Sequence, residues 1–375
     1  MEVIVIGYNH HNTLGLIRSL GEVGYHVHLL LMESGINFVN KSSYLHSWQL
    51  LHSMNEVIPA VQEIAGKCKE KPILFCSGDG EATFVNDHFI ELNQYCFTEG
   101  AYKNGDVNIY HDKFESNTLA QVHGFIIPKT WVVNKNSAIP DDLKYPILVK
   151  AGDSIRGGKS VLRKYTNRES LSEALYKISE ELYPLQIQEY LEKEYEIIIL
   201  GCSVDHGIQV FCPVAEKKLR YYPQEFQTTA YTESILIEGN SDLEKIVDKI
   251  TSMMRSIGYS GLFSVELIYA NNQYYFLETN FRNDGTGYLA TICGFNLPDI
   301  FCQSVIGKHV NFNGYQYQPC HYVNVIEDGK NVIRGRVPLM QWLKQLKKAR
   351  CYSHYSKKDR KPLLYSMLAL FFNRF

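Results

Sequence analysis

A chain of 375 residues that is 45% hydrophobic holds core material for two or three folded domains. Its formal charge of −2, from 38 basic and 40 acidic residues, excludes a global pull toward nucleic acid, and nine scattered cysteines without a CxxC pair argue for reduced thiols in the cytoplasm rather than a zinc site or disulfide framework. The N-terminus enters an apolar strand without a basic leader or cleavage site, and no apolar run reaches bilayer-spanning length.

Glu2 to Ile6 is a continuous apolar run closed by Gly7. A polar turn over Tyr8 to Thr13, a helical pattern from Leu14 to Val23 and a second run at His26 to Leu31 complete a βαβ opening. Helical periodicity over Glu56 to Cys68 precedes a buried strand at Ile73 to Ser77, with a turn, Gly78-Asp79-Gly80-Glu81, at its C-terminal end. Strands alternating with helices predict a parallel sheet, in which ligands meet the loops beyond the strand C-termini. Those loops hold Tyr8, Asn9, His10, Asp79 and Glu81, for which helix capping and turn chemistry are the plainer explanation. GxGxxG is missing after the first strand, so a dinucleotide site is not expected.

From about Asn108 the pattern changes to an α+β mixture. A helix is predicted around Lys113 to His123, strands at Thr130 to Val133 and Ile147 to Lys150, and a further strand at Val161 to Lys164. Between the last two lies a loop with Arg156, Gly157, Gly158 and Lys159, where glycines let backbone N–H groups approach phosphate; the GxxxxGK[ST] spacing is absent. A helix over Arg168 to Ser179, strands at Leu185 to Gln188, Glu196 to Leu200 and Gln209 to Val214, and a helix over Asp242 to Ile257 follow. The polar connection inside Gln186 to Ile198 could offer main-chain groups to an adenine ring; a plain interdomain linker would read the same way.

Phe263 to Gly287 holds two apolar runs carrying Glu266 and Glu278, joined by Asn271-Asn272, and the second run continues into Asn280 and Arg282. A hard cation such as Mg²⁺ takes a few carboxylate and amide oxygens and shares its remaining positions with phosphate and water, while Arg neutralises phosphoryl charge. An edge hairpin with solvated acids is the plain alternative. Lys344 to Lys361 is strongly basic and Leu363 to Phe372 apolar, which predicts a terminal helix packed on its own core, with membrane-surface contact as the alternative.

Taken in order, Lys113, Lys150, Gly157-Gly158, Gln188 to Leu191, Glu266, Glu278, Asn280 and Arg282 resemble the ATP-grasp superfamily. The E-x-N-x-R string and the interval from Glu266 to Glu278 are similar to its biotin carboxylase and carbamoyl phosphate synthase branch, and the resemblance covers roughly Asn108 to Lys308. It implies an α/β and α+β protein: a parallel βαβ domain over 1–107, a two-lobed ATP-grasp domain over 108–310 and an extension over 311–375. Within the middle domain, the lid would span about 125–187 and the C-terminal lobe about 188–310. The same resemblance implies that Lys113 and Lys150 contact the α- and β-phosphates beside the Gly157-Gly158 flap. Gln188, Glu189, Tyr190 and Leu191 would line the adenine and Glu194 the ribose. Glu266, Glu278 and Asn280 would hold Mg²⁺, for which Mn²⁺ can substitute. Arg282 would stabilise the transferred phosphoryl group, with Lys218 or Arg220 adding a γ-phosphate contact.

The flap has fewer glycines than biotin carboxylase, and Asn283 to Gly287 departs from the carboxylase continuation. With neither a biotinyl domain nor a second synthetase half, the expected class is a stand-alone, ADP-forming carboxylate-amine ligase. Its substrates would be small-molecule or cell-envelope carboxylates and amines, with no nucleic acid, and its assembly the homodimer common among such members. An ATP-grasp kinase, a thioester-forming ligase and a non-catalytic nucleotide-binding protein are the alternatives.

Overall fold

The apolar run at the N-terminus forms β1 (Glu2–Gly7), buried on both faces as a central parallel strand requires. Helix α1 (His11–Gly21) carries the chain to β2 (His26–Leu31), which is followed by β3 (Leu45–Leu50), α2 (Val57–Ala65) and β4 (Ile73–Cys76). Helices α3 (Asp79–Asp87) and α4 (Phe89–Leu92) lead to β5 (Phe97–Thr98). All neighbours are parallel, in the order β3-β2-β1-β4-β5. The connections reverse direction between β1 and β4, which makes that junction the switch point where parallel sheets bind ligands. A Cβ on Gly7 would lie 2.1 Å from Ser77 Oγ and 2.6 Å from Thr13 Oγ1, so only glycine lets the loops after β1 and β4 approach this closely.

Two expectations need correction here. Gly78 to Glu81 is not a turn: Gly78 is extended and helix α3 begins at Asp79, placing Asp79 and Glu81 in a first turn whose dipole favours carboxylates. Helix α1 begins at His11 rather than Leu14, because His10 Nδ1 accepts the Asn12 backbone N–H at 3.2 Å as its cap.

The computed structural model describes residues 1–152, 161–223, 228–308, 310 and 314–372. They divide into a first unit of Met1–Val107, Ile198–Ser264 and Asn280–Phe375 and a second of Asn108–Ile197 and Val265–Thr279.

In the second unit, α5 (Lys113–Val122) precedes β6 (Thr130–Val133), β7 (Ile147–Ala151), β8 (Arg163–Tyr165), α6 (Arg168–Lys177) and β9 (Leu185–Glu189). The four strands form an antiparallel sheet in the order β6-β9-β7-β8. The chain then runs through β10 (Tyr195–Val204), β11 (Gln209–Tyr222), β12 (Thr228–Leu236), α7 (Ser241–Ile257), β13 (Gly261–Ala270) and β14 (Gln273–Asn280), of which residues 198–264 belong to the first unit and residues 265–279 to the second. Asn271 and Asn272, between the last two strands, have φ of 51° and 59°, the left-handed pair of a two-residue type I′ hairpin.

The first unit continues through α8 (Tyr288–Ile292), α9 (Leu297–Val305), β15 (His321–Val323), α10 (Val325–Ile333), α11 (Leu339–Lys348), β16 (Cys351–Tyr352) and α12 (Lys361–Phe372). Its core joins Val3, Val5, Leu16 and Ile17 to Leu200, Leu289, Phe301 and Tyr322. Arg18 of α1 is fully buried against Asp359, Nε to Oδ2 at 3.0 Å, and its Nη2 donates to the His354 carbonyl at 3.0 Å. Asp359 also accepts from Ser42 Oγ and the Ser43 N–H, both at 2.9 Å. Removing one member of such a pair strands a buried charge, so Asp359→Ala is expected to cost about 3–5 kcal/mol, read as a lower urea midpoint. Among the described residues no helix is long and apolar enough to cross a membrane.

Candidate active site

In the second unit, β7 and β9 pair Leu148 with Gln188, Val149 with Ile187 and Lys150 with Gln186. Side chains alternate across a strand, so Ile147, Val149, Ala151, Leu185 and Ile187 fill the core while Lys150, Gln186 and Gln188 share the opposite face. That polar face is itself buried: Lys150 is 9% exposed and Gln186 1%. Burial lowers the Lys150 ammonium to a pKa of about 7; the Lys113 charge lowers it further and the Glu278 carboxylate acts in the opposite sense. Lys113, Lys150 and Glu278, distant in sequence, are therefore within electrostatic reach of one another. The Lys113 backbone N–H donates to the Gly152 carbonyl at 2.9 Å.

Gln186 was not singled out in the sequence. Neither its Oε1 nor its Nε2 has a hydrogen-bond partner among the described residues. A buried amide without partners is costly, so its place beside a buried amine fits a face completed by a polar, anionic ligand. The alternation Leu185, Gln186, Ile187, Gln188 in β9 was the signal available.

The expected adenine segment is tied down through both side chains and backbone. Gln188 Nε2 donates to Thr130 Oγ1 at 3.0 Å, and Glu189 Oε1 accepts the Lys129 N–H at 2.7 Å. The Tyr190 N–H donates to the Pro146 carbonyl at 3.3 Å, and the Lys164 ammonium sits 3.5 Å from the Tyr190 ring centroid. Leu191 packs against Ile268, Ala270 and Tyr275; Glu194 is exposed, with its N–H bonded to the Tyr269 carbonyl at 2.9 Å. Glu266 and Glu278 are both half-buried on the hairpin strands. Gly157 and Gly158 lie outside the described residues.

In the first unit, the loops after β1 and β4 meet the segment after Asn280. Asn12 Nδ2 donates to the Ser77 carbonyl at 2.6 Å and to the Asn283 carbonyl at 2.8 Å. Arg282 bonds Asp79 (Nε to Oδ1, 2.6 Å), the Asn283 carbonyl (3.1 Å) and Asn280 Oδ1 (3.3 Å). Asn280 Nδ2 reaches Ser264 Oγ at 3.4 Å, and Ser264 Oγ donates to Asp284 at 2.8 Å. Three imidazoles line the same region, His10 to His11 at 3.9 Å and His11 to His354 at 6.3 Å between centroids. Burial holds them neutral at pH 7: His10 falls to about 4, with Arg282 adding to the effect, and His354 to about 3. Glu81 is 2% exposed and its Oε1 lacks a partner. Burial raises its carboxyl to about 7, its own backbone N–H opposes this, and the Asp79 charge adds to it.

Arg220 is committed elsewhere. Its Nε and Nη2 grip the two Asp328 oxygens at 2.6 Å each, and Nη2 also donates to Gln345 Oε1 at 2.9 Å. Lys218 is half-buried on the same strand. Among the described residues no group of three or more His, Cys, Asp or Glu is arranged to hold a metal.

Comparison with known proteins gives several partial matches. Residues 118–298 match the model of the ATP-grasp domain. The chain is 25% identical over 156 residues to biotin carboxylase of Haemophilus influenzae, covering 40% of this chain and 34% of that protein. It is 20% identical over 250 residues to D-aspartate ligase of Enterococcus faecium, covering 61% and 57%. The chain thus spans about a third to just over half the length of these two curated relatives. Among solved structures, N5-carboxyaminoimidazole synthetase from Staphylococcus aureus complexed with ADP shares the fold, with a TM-score of 0.68, 17% identity and coverage of 96% of this chain and 90% of that one.

Proposed function

We propose, from the premise that this chain carries an ATP-grasp domain over residues 118–298, that it is an ADP-forming ligase. It phosphorylates a carboxylate with ATP and lets an amine displace phosphate from the acylphosphate. The observation that carries this reading is the buried face of Lys150 and Gln186, with Lys113 and Glu278 acting on the same ammonium.

In this reading residues 108–310 are the nucleotide-handling domain. Lys113 and Lys150 meet the inner phosphates, with Gly157 and Gly158 in the flap above them. Gln188 to Leu191 meet the adenine and Glu194 the ribose. Glu266, Glu278 and Asn280 hold Mg²⁺, which when bound neutralises phosphoryl charge. Lys218 or Arg220 adds a γ-phosphate contact; Asp328 already grips the Arg220 guanidinium. Arg282, oriented by Asp79, faces the transferred phosphoryl group. Positioning and charge supply the catalysis, so no side-chain nucleophile is required.

The acceptor amine is assigned to the switch point of the first unit, where Glu81 combines burial, a partnerless oxygen and a raised pKa. A hydrogen bond to a charged group is worth about 1.5–3 kcal/mol, so Glu81→Gln is expected to raise the acceptor KM by roughly 10- to 100-fold. ATP affinity, measured by calorimetry, should not change; an unaltered acceptor KM refutes the assignment. A cytoplasmic setting belongs to the same reading and is supported by nine free thiols. The chemistry itself is tested with a carboxylate labelled with ¹⁸O. An acylphosphate transfers one label to the released phosphate, whereas a hydrolase leaves that phosphate unlabelled and a kinase releases none.

A further inference from the structure

From Arg334 to Lys361 ten Lys and Arg stand against a single acidic residue, Asp359, in a chain whose formal charge is −2. Asp359 is already engaged by Arg18. Helix α11, in the middle of this stretch, carries one broad apolar stripe with an inner and an outer edge. The inner one is occupied: Trp342 Nε1 donates to Asp328 Oδ2 at 3.0 Å, and Leu346 packs beside Tyr231, Val323 and Ala349. The outer one is open, with Leu339 55% exposed, Met340 66% and Leu343 45%, and Ile333 just ahead of the helix at 83%. At helical spacing Leu339, Leu343 and Met340 fall within about 100° of arc. Lys344, Lys347 and Lys348, all exposed, lie among and beside them. One exposed leucine is ordinary, but an apolar row interleaved with lysines is the composition of a helix that lies in a lipid interface.

We propose that this surface docks on an anionic lipid bilayer. Leu339, Met340 and Leu343 enter the headgroup boundary while the lysines and the neighbouring Arg334 and Arg336 meet lipid phosphates. Charge selects this occupant. A second copy of the chain would bring the same positive field to a two-fold contact and be repelled. A polyanion such as nucleic acid would use the lysines but leave the apolar row in water.

The test is co-sedimentation of the full chain with phosphatidylcholine vesicles, with and without phosphatidylglycerol. The protein is expected to pellet only with the anionic vesicles, and less so as salt rises. Leu339→Ser with Leu343→Ser should weaken partitioning about tenfold. Lys344→Glu with Lys347→Glu should weaken it more, since each surface cation is worth about fivefold. Far-UV spectra establish that both variants fold, and Met340→Ser alone substitutes should either not. Undiminished binding by the serine variants would reduce the contact to charge adsorption and overturn the proposal. So would protein that stays in the supernatant with anionic vesicles, including the case where sedimentation velocity shows a dimer that the serine variant dissociates.

Discussion

Glu278→Gln is expected to lower ATP turnover about a thousandfold or more while leaving the fold unchanged. The substitution keeps the shape of a half-buried side chain on β14 and removes its charge. A lost charge contact in a preorganised phosphoryl-transfer site costs about 4 kcal/mol of transition-state stabilisation, which is the stated factor. Glu278 also counteracts the burial of the Lys150 ammonium, so its loss should weaken nucleotide binding as well as the chemical step. ADP release and the far-UV spectrum of the variant check both halves. Turnover within tenfold of the parent protein would refute the metal assignment.

Lys150→Met carries the second large effect, and it separates nucleotide binding from folding. Burial lowers the folded-state pKa of Lys150 from 10.5 to about 7, so between those values the unfolded chain binds the extra proton. Stability of the ligand-free protein should therefore rise from about pH 7 toward 10.5, and Lys150→Met should abolish that component of the rise. The methionine variant should also be no less stable at pH 7, because burial disfavours the charge that the substitution removes. Phosphate favours the charged ammonium, so ATP binding above pH 7 should take up a proton and weaken as pH rises. Calorimetry in buffers of different ionisation enthalpy would detect that proton. In Lys150→Met the affinity should drop roughly 100-fold, the about 3 kcal/mol of a hydrogen-bonded charge, and the uptake vanish. A pH-independent ATP affinity in the parent protein would show that Lys150 does not meet the phosphates.

Local patterns in the sequence disclosed much of this architecture. The buried run of β1, the alternation of strands and helices up to β4, and the Asn271-Asn272 turn follow from periodicity and turn chemistry, which depend on neighbours in the chain. Edge strands were harder: β3 is largely exposed along its length and offers no apolar alternation to find. Gly78 and Gly80 flanking Asp79 give the sequence around Glu81 the look of a turn, yet the dipole of α3 and the packing around Val85 favour helix from Asp79 onward. Partners far apart in sequence left no trace. Nothing in the stretch around Arg220 announces that Asp328 holds its guanidinium, or that Arg18 waits for Asp359. The same distance hides the buried state of Lys150 and Gln186. Their strands are legible one at a time, but the register that sets them face to face is a property of the folded sheet.

The most direct measurement is ADP and phosphate release from Mg²⁺-ATP against pooled amino acids, hydroxy acids and amines, with products followed by mass spectrometry and Glu278→Gln as the control. ADP release that depends on the acceptor, with a product equal to two pool members less water, is the expected result. An acceptor that becomes a phosphate ester, with no condensed product, would contradict ligation and make the protein a kinase.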